Sequence, residues 1–286
     1  MAIEIRGFFH EPTFSVSYLL IDSATRNAAV IDAVLDYDAK AGRTATTHAD
    51  GLLAAAARDG LTVALILETH VHADHVSAAS YLKQRTGARI GIGARVGEVQ
   101  ATFEKLFNLP VPVAASRPFD LLFQDGDRAA LGETPISIWE TPGHTPACVS
   151  YLAGDAVFVG DTLFMPDYGT ARCDFPGGNA ATLYRSIQRL LALPPATRIF
   201  LCHDYKAPGR DSYCWETTVA AQRAGNLHIK TGTAEADFVA MRETRDKTLT
   251  LPVLIIPAVQ FNIRGGAVPP AESNGTSYLK IPINIL

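Results

Sequence analysis

The residues best suited to chemistry in this sequence are clustered. Thr69-His70-Val71-His72-Ala73-Asp74-His75 places three imidazoles and a carboxylate within six positions. Imidazole and carboxylate groups bind transition metals such as zinc and iron. In extended backbone, residues two apart point the same way, so His70 and His72 can converge on one ion. As the chain turns toward a helix at Val76, Asp74 and His75 can approach from another side. A solvated surface turn also holds histidines, but H-x-H-x-D-H is too specific a string to arise often by chance.

Three further residues fit the same centre. His144 lies in Thr141-Pro142-Gly143-His144-Thr145, Asp161 in Val159-Gly160-Asp161-Thr162, and His203 in Cys202-His203-Asp204-Tyr205. Each follows a strand-like run (ISIWE, AVFVG and IFL), and α/β sheets build their sites where strands end. Alone, each is as often structural as functional. Beside the first motif they point to a metal centre. His10, His48 and His228 lack such a context and read as structural or solvated.

Periodicity supplies the elements that must position these groups. Ile3–Phe9, Ser15–Ile21 and Ala28–Ile31 read as strands separated by turn residues. His48–Asp59 carries Leu52, Leu53, Ala56 and Ala57 at helical spacing, and Gly60 ends it. Leu61–Leu67 is a nearly continuous apolar run, as expected of a strand buried on both faces. Val76–Thr86 and Gly97–Phe107 read as helices on either side of a short strand, Arg89–Ile92. Leu121–Val159 is strand-rich, Thr182–Leu193 is a helix and Arg198–Cys202 a strand. Glu216–Asn226 and Ala234–Arg245 read as helices, and the Pro-containing tail after Leu251 as irregular. The pattern predicts an α/β fold of layered mixed sheets covered by helices. With no repeat and no linker, residues 1–286 read as one domain with a C-terminal extension over about 206–286.

Composition removes several classes. Of 286 residues, 48% are hydrophobic, which excludes a disordered chain. Twenty-five basic against 29 acidic residues give a charge of −4, which argues against a generic nucleic-acid or anionic-membrane partner. Cys148, Cys173, Cys202 and Cys214 form no CxxC and read as free thiols. The N-terminal MAIEIRGFFHEPTF lacks the layout of a signal peptide, and no apolar run approaches the roughly 18 residues of a membrane span. A reducing cytoplasm is the expected compartment. The apolar stretches Leu251–Ile263 and Ile281–Leu286 either cover the core or bury against a second subunit of a homodimer.

In order and spacing, T-H-V-H-A-D-H, P-G-H-T, G-D-T and C-H-D-Y resemble the metallo-β-lactamase superfamily over roughly residues 3–205. The resemblance implies an αββα sandwich, two mixed sheets flanked by helices, with metal at one edge between the sheets. In a two-metal member, His70, His72 and His144 would hold the first ion, Asp74, His75 and His203 the second, and Asp161 would bridge. Four further elements resemble the persulfide dioxygenases, the ethylmalonic-encephalopathy protein group, and the bacterial β-lactamase-like proteins close to them. They are Arg172-Cys173-Asp174-Phe175, Thr182-Leu183-Tyr184-Arg185-Ser186, His203-Asp204-Tyr205 and Asn262-Ile263-Arg264. That resemblance implies one Fe(II) on His70, His144 and Asp161, a triad that leaves one face open. His72, Asp74, His75 and His203 would then orient ligands or hold water. The implied reaction oxidises glutathione persulfide with O2 to sulfite and glutathione, a step of hydrogen sulfide metabolism.

The alternative is a glyoxalase II-type hydrolase of thioesters or lactones, with one or two Zn ions. That family usually has an aromatic pair where Cys173-Asp174-Phe175 stands, and H-E-Y in place of His203-Asp204-Tyr205. Asp167-Tyr168 and the Lys206–Trp215 insertion lengthen the loops around the pocket relative to the dioxygenases, which puts the thiol carrier in question. Carboxylates on a glutathione carrier need cations, and Arg172, Lys206, Arg210 and Arg264 are the candidates. Arg172 serves equally well as a salt-bridge partner of Asp174, whereas Lys206 and Arg210 read better as solvated loop charges. Tyr205 is expected to bond the substrate or to pack. Thr69, Cys173 and Asp174 are expected to line the pocket, with Cys173 either a catalytic thiol or inert packing.

Overall fold

A computed structural model describes residues 3–285. Along the chain, β1 (Ile3–His10) passes through a single 3-10 turn, Glu11–Thr13, into β2 (Ser15–Asp22) and β3 (Asn27–Ile31). A hairpin of β4 (Val34–Asp38) and β5 (Arg43–Ala45) precedes α1 (Thr47–Arg58). Then come β6 (Thr62–Leu67), β7 (Val76–Ser77), α2 (Ala79–Thr86), β8 (Arg89–Gly93), α3 (Val96–Leu106) and β9 (Leu121–Phe123). β10 (Arg128–Leu131), β11 (Thr134–Glu140), β12 (Val149–Ala153) and β13 (Ala156–Phe158) follow as a meander. α4 (Ala180–Leu191) crosses to β14 (Arg198–Phe200) and β15 (Glu216–Thr218). Three helices end the fold: α5 (Val219–Gly225), α6 (Glu235–Asp246) and α7 (Ile255–Asn262).

Two six-stranded sheets result, ordered β1-β2-β3-β6-β8-β9 and β10-β11-β12-β13-β14-β15, with a small third sheet β5-β4-β7. Both large sheets are mixed: β3, β6, β8 and β9 pair in parallel, as do β13 and β14. The period of two along each strand explains the layering. Leu19, Ile21, Ala28 and Val30 face outward onto a layer that includes Leu52, Leu82 and Phe103 from α1, α2 and α3. Their neighbours Tyr18, Leu20, Ala29 and Ile31 face inward, against Ile136, Ile138 and Tyr151 of the second sheet. Val157, Ile199 and Leu201 face the opposite outer layer, where Leu183, Ile187 and Phe238 of α4 and α6 cover them. Strands buried on both faces need apolar residues at nearly every position, which is why these runs are continuous.

Several expectations are corrected. Val76-Ser77 is not helical but a short strand paired with β4, Ser77 opposite Val34, and the helix starts only at Ala79. Glu216–Thr218 is a strand before α5, held by the pairing of Thr217 with Ile199. The tail after Leu251 holds α7, whose Ile255, Ala258, Val259 and Phe261 are buried in the outer layer of the first sheet. Pro257 reads as a helix breaker, but it lies in the first helical turn, where no intrahelical N–H bond is required. Ile281, Ile283 and Ile285 remain exposed, and Leu286 lies outside the described residues. Among the described residues no helix is long and apolar enough to cross a membrane.

Candidate metal centre

The centre forms where the two large sheets meet at one edge. The loop after β6 carries His70, His72, Asp74 and His75, and its backbone is clamped from far along the chain. Asn262, at the end of α7, donates from Nδ2 to the carbonyls of His72 and His75, both at 2.8 Å, and accepts from Ser77 N at 2.8 Å. Val149 N donates to Thr69 O at 2.9 Å, which ties the loop to the second sheet. His144 and Asp161 each follow a glycine that the local shape requires. Gly143 sits at φ +141, and a Cβ there would lie 2.3 Å from Leu183 Cα at the start of α4. Gly160 sits at φ +51, with Thr69 Oγ1 2.5 Å from where its Cβ would be. His203 follows β14, and an isolated bridge between Ser15 and His203 joins it to the first sheet.

The hydrogen bonds leave one nitrogen of each key imidazole bare. The network assigns His70 Nδ1–H to Thr69 Oγ1 at 3.0 Å, and the Thr69 hydroxyl donates on to Asp32 Oδ2 at 2.9 Å. His70 Nε2 then carries a free lone pair and has no partner among the described residues. His144 Nδ1–H donates to Arg172 O at 2.8 Å, which frees its Nε2. Both Nε2 atoms face Asp161 Oδ2, at 3.9 Å from His70 and 3.8 Å from His144. His72 Nε2–H lies 3.0 Å from Asp32 Oδ1 and 3.2 Å from Glu68 Oε2, and its Nδ1 is bare. Imidazoles held at one nitrogen by an oxygen acceptor and bare at the other are what metal ligation requires.

The potential ligand atoms fall into overlapping groups. Those of His70, His144 and Asp161 lie within 4.8 Å of one another, as do those of His72, Asp74, His75 and His203, and Asp161 and His203 also group with Cys202. His72, which the two-metal resemblance puts with His70 and His144, has its ring 4.1 Å from that of His70 and 4.2 Å from that of His75. His203 Nε2 lies 3.2 Å from Asp74 Oδ2 and 3.3 Å from Asp161 Oδ1, yet neither His203 Nε2 nor Asp161 Oδ1 has a hydrogen-bond alignment. Close approach without hydrogen-bond alignment fits atoms aimed at a shared ion. A divalent transition metal thus fits the residues present.

The electrostatics differ among the imidazoles. Against the pull of burial, Asp32 holds His72, and Asp74 with Asp161 holds His203, well above the ordinary histidine range. Burial, then the neighbouring His72 and His144, hold His70 well below the ordinary histidine range, neutral as a ligand must be. Burial raises the Asp161 carboxyl, with His203 and His144 pulling the other way. Burial also works to raise Asp74, but His203 and His75 outweigh it and hold that carboxyl well below the usual range. Buried carboxylates surrounded by imidazoles create a local demand for positive charge.

A cavity of about 1020 Å³ opens from the centre and is lined by His144, Asp161, Asp74, Tyr205 and Arg172 among others. Tyr205 also stacks on His203, with ring centroids 5.3 Å apart, so it both packs and faces the cavity. Of the other expected substrate contacts, Arg210, Lys206 and Arg264 are not among the cavity-lining residues. Arg210 forks onto Asp204 at 2.5 and 2.6 Å and onto Asp167 at 2.7 Å, stapling the two long loops together. Lys206 Nζ lies 4.2 Å from the centroid of the Tyr213 ring, and Arg264 donates to Gln260 O at 2.6 Å. Arg172 faces the cavity, but its guanidinium is taken up by Asp174 at 2.5 and 2.6 Å and by Thr250 O at 2.7 Å.

Thr69, Cys173 and Asp174 are not among the cavity-lining residues. Cys173 is buried and its thiol is pushed well up, mainly by that burial, which favours packing over nucleophilic chemistry. Instead, Arg43, Arg245, His10 and His228 line the cavity. Burial, with Arg242 and Arg245 nearby, lowers His228 to about 4. The buttress Asp32 and the clamp Asn262 were also missed. Asp32 had a legible signal, a carboxylate directly after the buried strand β3, whereas Asn262 had none beyond its place in the N-x-R element.

A sequence model of the metallo-beta-lactamase superfamily matches residues 11–203, and the chain belongs to that superfamily. It is 53% identical to a probable metallo-hydrolase of Burkholderia pseudomallei, over 99% of both chains. It is 51% identical to a beta-lactamase hydrolase-like protein of Xylella fastidiosa, covering 99% of this chain but 65% of that longer protein. A glyoxylase B2 of Dictyostelium discoideum is 47% identical over 94% of this chain and 92% of its own. Human mitochondrial persulfide dioxygenase ETHE1 is 30% identical over 71% of this chain and 69% of its own. The crystal structure of ETHE1 from Myxococcus xanthus superposes with a TM-score of 0.74 at 31% identity, covering 93% of this chain and all of that one.

Proposed function

We propose that this member of the metallo-β-lactamase superfamily is an iron-dependent persulfide dioxygenase that oxidises glutathione persulfide with O2 to sulfite and glutathione. The observation that carries this reading is the group of His70, His144 and Asp161, two imidazoles and one carboxylate whose ligand atoms lie within 4.8 Å of one another. Fe(II) held by these three residues would supply electrons for O2 activation and open positions that can take the persulfide sulfur. The likeness to ETHE1 in sequence and fold supports it.

The surrounding residues have definable tasks. Asp32, through Thr69, fixes the tautomer that bares His70 Nε2, and Arg172 O does the same for His144. The cavity is large enough for a thiol carrier the size of a tripeptide. Arg43 and Arg245 on its wall are the cations left to meet carboxylates on that carrier, since Arg172 is held by Asp174.

A zinc thioester or lactone hydrolase is the second reading. It is favoured by the second ligand group around Asp74 and by the glyoxylase B2 relative. Oxygen uptake by anaerobically prepared, Fe(II)-loaded protein given glutathione persulfide separates the two. Uptake matched by sulfite, and lost in Asp161→Ala, is the expected result. Fully iron-loaded protein that takes up no oxygen overturns the dioxygenase, and hydrolysis of S-lactoylglutathione by zinc-loaded protein then tests the hydrolase.

A further inference from the structure

One wall of the cavity is apolar and uncovered. Leu249, Leu251 and Val253 stand on the strap that joins α6 to α7, and all three line the cavity that also reaches His144 and Asp161. They are 38%, 49% and 92% exposed. From the first-sheet side Phe14, 37% exposed, lines the same cavity. A single exposed leucine needs no explanation, but several gathered on one concavity mark a place where apolar surface is buried on binding. Ile281, Ile283 and Ile285 of the tail are also exposed, but they are not among the cavity-lining residues.

The strap is fastened along its length. At the end of α6, Thr248 N donates to Arg245 O and Leu249 N to Asp246 O, both at 3.0 Å. Arg172 Nη1 donates to Thr250 O at 2.7 Å. Ile255 N donates to Pro252 O at 3.1 Å, and Leu254 packs on the outer core of the first sheet. Leu254 thus anchors the strap, whereas Leu251 and Val253 are left for something outside the core. Arg172 O is the acceptor that fixes His144, so one residue ties the strap to a candidate metal ligand. An apolar wall already held in place loses little freedom when a ligand covers it, and its burial then appears as affinity.

We infer that Leu249, Leu251 and Val253 form a specificity wall for an alkyl arm on the thiol carrier whose sulfur reaches the metal centre. The inference rests on the proposed function and deepens it by assigning the class of carrier. Arg43 and Arg245 on the cavity wall are cations for acidic groups, and Arg245 lies four residues before Leu249. Glutathione meets such cations but offers the strap no alkyl arm to bury. A thiol that carries an arm of several carbons uses the strap and Phe14 as well. Its persulfide is therefore the preferred substrate.

Calorimetric titration of zinc-loaded protein with ethanethiol, butanethiol and hexanethiol reads the wall without any oxygen chemistry. Affinity should rise with chain length by up to about fourfold per buried methylene. The heat-capacity change of binding should grow more negative with each. Leu251 and Val253 are exposed, so Leu251→Ser combined with Val253→Ser should fold normally. This double variant should bind hexanethiol about tenfold more weakly and ethanethiol unchanged. Ile283→Ser, at an exposed apolar residue off the cavity, should alter neither. With iron-loaded protein, hexyl persulfide should exceed glutathione persulfide in kcat/KM for oxygen uptake, and the double variant should lose that preference. Affinity that is absent or flat across the series overturns the wall, and so does a slope equal in wild type and double variant. A persistent preference for glutathione persulfide overturns it too. So does a double variant that changes only the sedimentation of the protein, because a second copy would then cover the strap. Chain-length-dependent binding without oxygen uptake from any persulfide leaves the wall standing and defeats the dioxygenase reading instead.

Discussion

The two flanks of the metal centre are built on different terms. On the first-sheet side, Asp32 alone accepts from Thr69 N at 2.7 Å, from Thr69 Oγ1 at 2.9 Å and from His72 Nε2 at 3.0 Å. Ser77 donates to Glu68 at 2.7 Å, and Asn262 holds the loop backbone. On the second-sheet side, Asp161 Oδ1, Thr162 Oγ1 and both ring nitrogens of His203 have no hydrogen-bond partner among the described residues. Those side chains are held by strand ends, by Gly160 and by the stacking of Tyr205. The first flank has its orientation set by protein groups alone. The second would be completed by an ion, because a buried polar atom without a partner is costly until something satisfies it.

Removing the metal is the harshest test of that contrast. Chelation from protein equilibrated at about 1,000 times the dissociation constant should cost about 4 kcal/mol of stability. The loss should be local: amide exchange should rise across residues 160–164 and 201–205 and stay slow across 28–32 and 65–69. A uniform rise would mean that the flanks do not differ. A smaller effect is expected from Asp32→Asn, which disturbs two imidazoles at once and should weaken metal affinity about 10–100-fold in a competition titration. Unchanged affinity would remove Asp32 from its role. The finest comparison is a matched pair read by urea unfolding. Thr69→Val leaves the buried Asp32 carboxylate short of a donor and should cost about 1–3 kcal/mol, whereas Thr162→Val replaces an unpartnered hydroxyl and should stay within about 0.5 kcal/mol. Equal costs would erase the distinction.

What the sequence showed of this centre was what lies close together in the chain. His70 to His75 announce themselves as one short string, and His144, Asp161 and His203 follow recognisable buried strands. The groups that orient them were harder to see because their partners are remote: Asp32 acts on residues 37 and 40 positions away. Charge is hard to place for the same reason. In sequence Arg210 reads as a solvated loop charge before a substrate cation, and only the fold brings Asp167 and Asp204 against it. In the fold, apolar periodicity located most long strands and helices. It failed at Val76-Ser77, where pairing with β4 overrides a helical pattern, and at α7, where a proline in the first turn hides a buried helix.

The clamp by Asn262 has a consequence for the order in which the protein is made. A ribosome delivers His70, His72, Asp74, His75, His144, Asp161 and His203 before it delivers Asn262, which lies 190 positions beyond the His72 carbonyl it holds. During that interval the nascent chain displays every candidate ligand, four of them on a loop that Asn262 does not yet fasten. Metal captured early would meet a looser, less selective arrangement than the finished one. Selective loading therefore belongs to the time after α7 has docked.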